Sequence, residues 1–259
     1  RAWPANLPNT YAGLTTVNQA IITSKNTVAV RVLQELTIDK SFDFVKNKLG
    51  MSSFIDSYTA PNGTVYTDKL LAPLALGQMN FGLTVEEMTA AYGIFQNNGV
   101  YNKPRTFLAV YDNEGNLILE NKEESTIVMS EQNASLMTMM MENVMNQGTG
   151  KVVTLRNTVD VAGKTGTTND QSDGWFIGYT PKLTAGVWVG AEDRQVHFNS
   201  LALGGGSNMA LPIWGIFMKK VIEDGTLGVT VYDQFVAPQG FSLNLNCDGS
   251  DEDMAAQQQ

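Results

Sequence analysis

The sequence holds one cysteine and one histidine in 259 residues, and that scarcity removes several chemistries at once. A lone thiol, Cys247, closes no disulfide within the chain and builds no multi-cysteine zinc site. The lone imidazole, His197, sits in the polar stretch "AEDRQVHFNS" and reads as an exposed loop residue, which argues against a histidine-dependent triad or a His-rich metal centre. Basic residues are also few, 17 Lys+Arg against 26 Asp+Glu for a net charge of −9, so the clustered cations of a nucleic-acid footprint are neither expected nor seen. No apolar run reaches the roughly 18 residues of a membrane-spanning helix. The opening "RAWPANLPNTYAG" lacks both the basic region and the apolar core of a signal peptide. What is plentiful is core material. Hydrophobic residues make up 43%, enough for one large domain or two small ones.

Along the chain, "GLTTVNQAIITSKNTVAVRVLQELTIDKSFDFVKNKLGM" alternates helical apolar spacings with polar breaks and reads as two or three helices, with Val28, Val32 and Leu36 recurring every fourth residue. "TVEEMTAAYGIFQNNG" is a helix closed by Asn-Asn-Gly. Two strand-like runs around Asn113-Glu114-Gly115 predict a hairpin. "SEQNASLMTMMMENVMNQGTG" starts at a Ser130 N-cap, carries Met137, Met140, Met141 and Val144 on one face as core filler, and stops at Gly148. "TVDVAGKTGTT", "GWFIGYT" and "LTAGVWVGAED" predict three strands in an antiparallel meander. A helix over about 209–223 offers Leu211, Trp214, Ile216, Phe217, Met218 and Val221 to cover one face of that sheet. The end, "CDGSDEDMAAQQQ", is acidic, polar and repetitive, the composition of a disordered tail.

The residue that asks for an explanation is Lys164, in "VAGKTGTTNDQSDGWF". A phosphate-binding loop would need a glycine where Thr158 stands and a helix where the pattern reads strand, loop and strand. "QGTGKVV" fails too, with Val152 in place of the magnesium-binding hydroxyl. Two readings remain. Lys164 is either the charge that protects an edge strand, or a fixed cation lining a cleft beside Thr165 and Thr167. In the second case Gly163 and Gly166 would let an anionic, peptide-like ligand approach the strand backbone.

The surroundings of Lys164 resemble the serine transpeptidases of peptidoglycan synthesis, specifically the bifunctional class A penicillin-binding proteins, whose third active-site motif is Lys-Thr-Gly-Thr. "WPANLPNTYAGLTTVNQAIITSKNTVAVRVL" is similar to the family's approach to its second motif, Ser-x-Asn, at Ser24-Lys25-Asn26. "LALGQMNFGLTVEEMTAAYGIFQNNGVYNKP", "MNQGTGK" and "SDGWFIGYTPKLTAGVWVG" are similar to later blocks in the family's order. The two motifs stand 164 − 24 = 140 residues apart, and the resemblance covers roughly residues 3–227. It implies an α+β fold, an antiparallel sheet flanked by helices, and acyl-enzyme chemistry without a cofactor or metal. It implies that Ser24 relays a proton, Asn26 holds the substrate amide and Lys164 polarises Ser24. Thr165, Gly166, Thr167 and Thr168 would form the substrate-binding strand, the N–H of Thr167 being half of an oxyanion hole. The implied partners are stem peptides, a D-Ala-D-Ala donor and an amine acceptor, together with β-lactam antibiotics, and no nucleic acid.

The pattern departs from the family at one place. No Ser-x-x-Lys, the tetrapeptide that carries the nucleophile, occurs in the 259 residues, and Thr37-Ile38-Asp39-Lys40 has only its spacing. The resemblance therefore predicts the C-terminal part of a transpeptidase domain over 1–228 and a tail over 229–259. The nucleophile, a glycosyltransferase domain and a membrane anchor holding the protein on the extracytoplasmic face would lie elsewhere in a longer protein. The strand at "LTAGVWVGAED" would then show a bare edge centred on Val187 and Val189. A class B transpeptidase and a non-catalytic penicillin-binding sensor or wall-binding module are the alternatives.

Overall fold

A computed structural model describes residues 3–241 and Leu245. The chain folds as helices around a small antiparallel sheet, the expected α+β class.

The helical first part begins with α1 (Val17–Ile22), opened by Thr16, whose hydroxyl accepts from the Gln19 N–H at 3.1 Å. After a tight turn come α2 (Asn26–Leu36) and α3 (Ile38–Asp43), the latter running into a π-helical turn over Phe44–Lys48. The every-fourth-residue spacing in α2 does not mark its buried face. Val30 and Leu33 are buried while Val32 and Leu36 point outward, because α2 packs through one narrow stripe against α4 (Leu71–Leu76). A short hairpin, β1 (Tyr58–Thr59) with β2 (Val65–Tyr66), precedes α4. α5 (Val85–Gln96) starts at a Thr84 N-cap, whose hydroxyl accepts from the Glu87 N–H at 3.1 Å and donates to its carboxylate at 3.2 Å.

Next come β3 (Val100–Asn102), paired with β6 (Ser125–Ile127), and the expected hairpin of β4 (Ala109–Tyr111) and β5 (Leu117–Glu120). The Asp112 carboxylate ties the hairpin turn by accepting from the N–H groups of Glu114 and Asn116. α6 (Glu131–Gln147) runs between the expected Ser130 cap, which accepts from the Asn133 N–H, and Gly148.

The sheet that positions the site is β7 (Ala162–Thr167), β8 (Asp173–Tyr179) and β9 (Thr184–Gly190), antiparallel in chain order as predicted. One face meets α5 and α6, where the Tyr179 hydroxyl lies 3.0 Å from that of Thr138 in a fully buried contact. The other face meets α8 (Ala210–Asp224), which follows the single turn α7 (Leu201–Gly204). Trp214 of α8 lies edge-on to Phe176 of β8, ring centroids 5.1 Å apart, inside a cluster with Met145, Val161, Leu211 and Met218. α8 covers the sheet with Leu211, Trp214, Met218 and Val221. Ile216 and Phe217, expected in that contact, are 61% and 48% exposed, because a helix over three strands buries only one stripe.

Strand β9 has no partner on its outer edge among the described residues. Its valines are not the exposed row anticipated there. Val187 and Val189 turn into the α8 core, and Trp188 points to the other face. The anticipated tail over 229–259 falls largely outside the described residues, but its first part is packed. Val229 is buried, the Phe235 N–H donates to Asp160 at 3.0 Å, and the Phe235 ring meets Tyr179 at 5.6 Å. Two apolar anchors, Val229 and Phe235, hold this first part in spite of the polar composition that defines the rest of the tail.

Candidate active site

The turn between α1 and α2 carries Ser24. Its N–H donates to the Ile21 carbonyl at 3.2 Å and the Lys25 N–H to that of Ala20 at 2.9 Å, closing α1 on a left-handed residue, Ser24 φ 53°. A non-glycine residue held there is strained unless its surroundings fix it. The surroundings do so. α1 lies along α6, with the Asn143 amide donating to Asn18 at 3.2 Å, and α6 in turn packs on β7 through Met141 and Ala162. The turn and the strand therefore share one rigid support.

Across that support, Lys164 of β7 donates to the Ser24 hydroxyl at 2.9 Å and to the Thr165 carbonyl at 2.9 Å. Burial pulls its ammonium down from 10.5 to about 8, since a charge away from water is penalised. A hydroxyl that accepts from an ammonium has its own proton free to give and its oxygen polarised, which is what a proton relay requires.

Strand alternation separates the three side chains that the sequence reading set side by side. Lys164 pairs with Ile177 and faces α6, whereas Thr165 pairs with Phe176, Thr167 with Gly174, and both face the α8 side. They can meet one ligand only along the outer edge of β7, which has no strand partner among the described residues. Each threonine is itself supported. The Thr165 hydroxyl lies 2.6 Å from that of Thr149, in the turn after α6. There Gly148 comes so close to the Ile22 carbonyl, 2.5 Å from an added Cβ, that no side chain fits. Thr167 accepts from the Gly206 N–H at 3.0 Å, so its own proton remains free for a ligand.

Two predicted site residues also bond within the protein. Thr168 bonds to Asp173. Its hydroxyl accepts from the Asp173 N–H at 2.9 Å and donates to the Asp173 carboxylate at 3.0 Å, closing the β7–β8 turn. Asp173 is the hub there, also accepting from Trp188 Nε1 at 2.9 Å and from Ser172 at 3.2 Å, with Arg194 at 3.5 Å. Asn26 donates its amide to the Ala5 carbonyl at 2.8 Å, which ties it to the N-terminal segment. Sequence reading missed Thr149, Asp173 and Gly206. "MNQGTGK" and "SDGWF" stood out as blocks, but which hydroxyl or carboxylate in them mattered depends on contacts 16 to 39 residues away, or on the turn itself. His197 is exposed, as expected. A cavity of about 590 Å³ lies elsewhere, lined by Lys46, Phe54, Tyr58 and Phe81. The site is an open strand edge, not an enclosed pocket.

The family model described as the penicillin-binding protein transpeptidase domain matches residues 2–199. The chain is 35% identical over 221 residues to penicillin-binding protein 1A of Clostridium tetani, covering 83% of this chain and 27% of that protein. It is 35% identical over 202 residues to penicillin-binding protein 1F of Bacillus subtilis, covering 75% and 26%. The chain thus spans about a quarter of the length of these curated relatives. Its fold is similar to that of the PonA1 protein from Mycobacterium tuberculosis in complex with penicillin V, with a TM-score of 0.67 at 22% identity over 93% of this chain and 65% of the other.

Proposed function

The chain belongs to the penicillin-binding protein transpeptidase family, and from that premise we propose that it carries two of the three motifs of a penicillin-sensitive serine D-Ala-D-Ala transpeptidase. The third, the acylated serine of Ser-x-x-Lys, would come from outside these 259 residues, which contain no such tetrapeptide. The parent protein would also hold a glycosyltransferase domain and act on the extracytoplasmic face of the membrane. Among the described residues no helix is long and apolar enough to cross a membrane.

In this reading the donor stem peptide lies along the outer edge of β7. The ammonium of Lys164 and the hydroxyls of Thr165 and Thr167 hold its terminal carboxylate, and the N–H of Thr167 stabilises the oxyanion. The nucleophilic serine gives up its proton as it bonds to the penultimate D-Ala carbonyl carbon, and that proton, relayed through Ser24 polarised by Lys164, goes to the amine of the last D-Ala as its peptide bond breaks. An acceptor amine then attacks the acyl-enzyme ester, forming the cross-link and returning the serine its proton. A β-lactam enters the same path with its ring amide in place of the scissile bond.

The observation that carries the reading is the 2.9 Å contact between Lys164 Nζ and Ser24 Oγ. Intact-mass spectrometry after penicillin treatment tests it. A longer protein that joins a Ser-x-x-Lys segment to this chain gains one penicilloyl mass on that added serine, and the 259-residue chain gains none. A stoichiometric adduct on a serine within the 259 residues would overturn the assignment, and no adduct on the longer protein would favour a non-catalytic wall-binding module.

A further inference from the structure

α2 opens immediately after Ser24, yet its N-cap residue, Lys25, provides no side-chain cap. The cap comes from 21 residues upstream. Asn6, only 4% exposed, accepts through Oδ1 from the Thr27 N–H at 3.1 Å and from the Thr27 hydroxyl at 3.2 Å, and donates through Nδ2 to the Thr10 carbonyl at 3.0 Å. Thr27 is the second residue of α2, the position whose free N–H a capping oxygen normally takes. The bonds on either side follow the same path. Asn26 donates to the Ala5 carbonyl at 2.8 Å, and Lys25 Nζ donates to the Thr10 hydroxyl at 2.9 Å. Residues 5–10 thus lie as a strap over the Ser24–Asn26 turn, with Asn6 as its one buried polar anchor.

We propose that Asn6 is a positioning residue for the acylation reaction. Its carbonyl oxygen fixes the first turn of α2 and so holds the left-handed Ser24 where its hydroxyl meets Lys164. The reasoning is geometric. Ser24 is bounded on one side by α1, which α6 anchors, and on the other by α2, whose first turn has Asn6 as its side-chain cap. Without that cap the Thr27 N–H loses its partner, and the α2 side of the turn keeps only the exposed bonds of Asn26 and Lys25 to the strap and the packing of α2 on α4. The proposal rests on the reading of Ser24 and Lys164 as acylation machinery.

Two variants separate positioning from general support. Asn6→Leu removes both the acceptor and the donor, whereas Asn6→Asp keeps an acceptor for Thr27, favourable at a helix N-terminus, and loses only the donor to Thr10. In the longer protein carrying the Ser-x-x-Lys segment, Asn6→Leu should slow acylation by a fluorescent penicillin about ten- to a hundredfold, the scale of a small misplacement of a reacting group. Asn6→Asp should stay within about threefold of wild type, although both variants melt earlier. Acylation that follows stability equally in the two variants, or Asn6→Leu at the wild-type rate, overturns the proposal. A second measurement uses the 259-residue chain alone and needs no acylation. The Thr27 amide should exchange with solvent hydrogen as slowly as amides in the middle of α2, and about tenfold or more faster in Asn6→Leu. Fast exchange at Thr27 in the wild-type chain overturns the capping role even if Asn6→Leu does not fold. If the wild-type longer protein fails to acylate, the functional reading falls, and exchange at Thr27 still decides whether Asn6 holds the turn.

Discussion

Lys164 and Ser24 stand 140 residues apart in sequence and 2.9 Å apart as ammonium and hydroxyl. The contact joins a helix turn to a strand, and both rest on α6, α1 through Asn18 and Asn143, β7 through Ala162 and Met141. Mutual anchoring on one helix is what allows two short motifs to act as one site, since reacting groups lose rate steeply when displaced by even an ångström.

Burial sets the pH behaviour of that contact. Lys164 is held down from 10.5 to about 8, so its charged form dominates below that pH and its neutral form above. If the charge binds the substrate carboxylate, acylation by a penicillin falls as pH rises through about 8. A β-lactam with its carboxylate amidated should show a shallower limb, keeping only the part owed to polarisation of Ser24 by the ammonium. Acylation that instead climbs through the same pH would make the neutral amine the working form, a base and not a carboxylate anchor.

The hydroxyls of Thr165 and Thr167 have separate supports, and each support predicts an effect. Thr165→Val and Thr167→Val should weaken acylation by carboxylate-bearing substrates more than by an amidated analogue. Thr149→Val removes the partner 2.6 Å from the Thr165 hydroxyl and should reduce acylation about five- to tenfold, the worth of one hydrogen bond of about 1 kcal/mol. Stopped-flow rates for the three variants, with and without the ligand carboxylate, check the set. Equal losses on both ligands would detach these hydroxyls from carboxylate recognition.

Asp173 should matter for stability. It is 8% exposed and accepts from Thr168, Ser172 and Trp188 at once, so Asp173→Ala leaves several donors without their acceptor. A loss of about 2–4 kcal/mol in denaturant unfolding is expected, together with a change in Trp188 emission. An unfolding midpoint within error of wild type would show that the turn holds without its hub.

Where local chemistry decides structure, the sequence was readable. Ser130 caps α6 because a serine before an apolar helical run has an oxygen for the Asn133 N–H. The three strands fall in order because short turns join them. The separation of Lys164 from Thr165 and Thr167 follows from the same local rule, since a strand puts neighbours on opposite faces, yet the expectation from sequence set the three side by side. Other features belong to the tertiary fold. Ile216 and Phe217 carry the same apolar pattern as Trp214, and only the width of the sheet beneath α8 leaves them exposed. Thr168 looked like a ligand donor because the hydroxyl run continues through it, and its capture by Asp173 depends on how the chain turns five residues later. Asn6 has no periodic signature at all, because a cap donated from 21 residues away leaves no spacing to find.

The central claim is that Lys164, through Ser24, drives acylation. Lys164→Ala, in the longer protein with its Ser-x-x-Lys segment, removes one preorganised donor and should slow stopped-flow acylation by penicillin and by stem peptide alike by about 10²–10³-fold, roughly 3–4 kcal/mol. Lys164→Arg should also fail substantially, because a planar guanidinium cannot take the place of a compact ammonium held 2.9 Å from both the Ser24 hydroxyl and the Thr165 carbonyl. Near-wild-type acylation rates for the folded Lys164→Ala variant, with only its solubility impaired, would contradict the account and leave Lys164 as the protector of an edge strand.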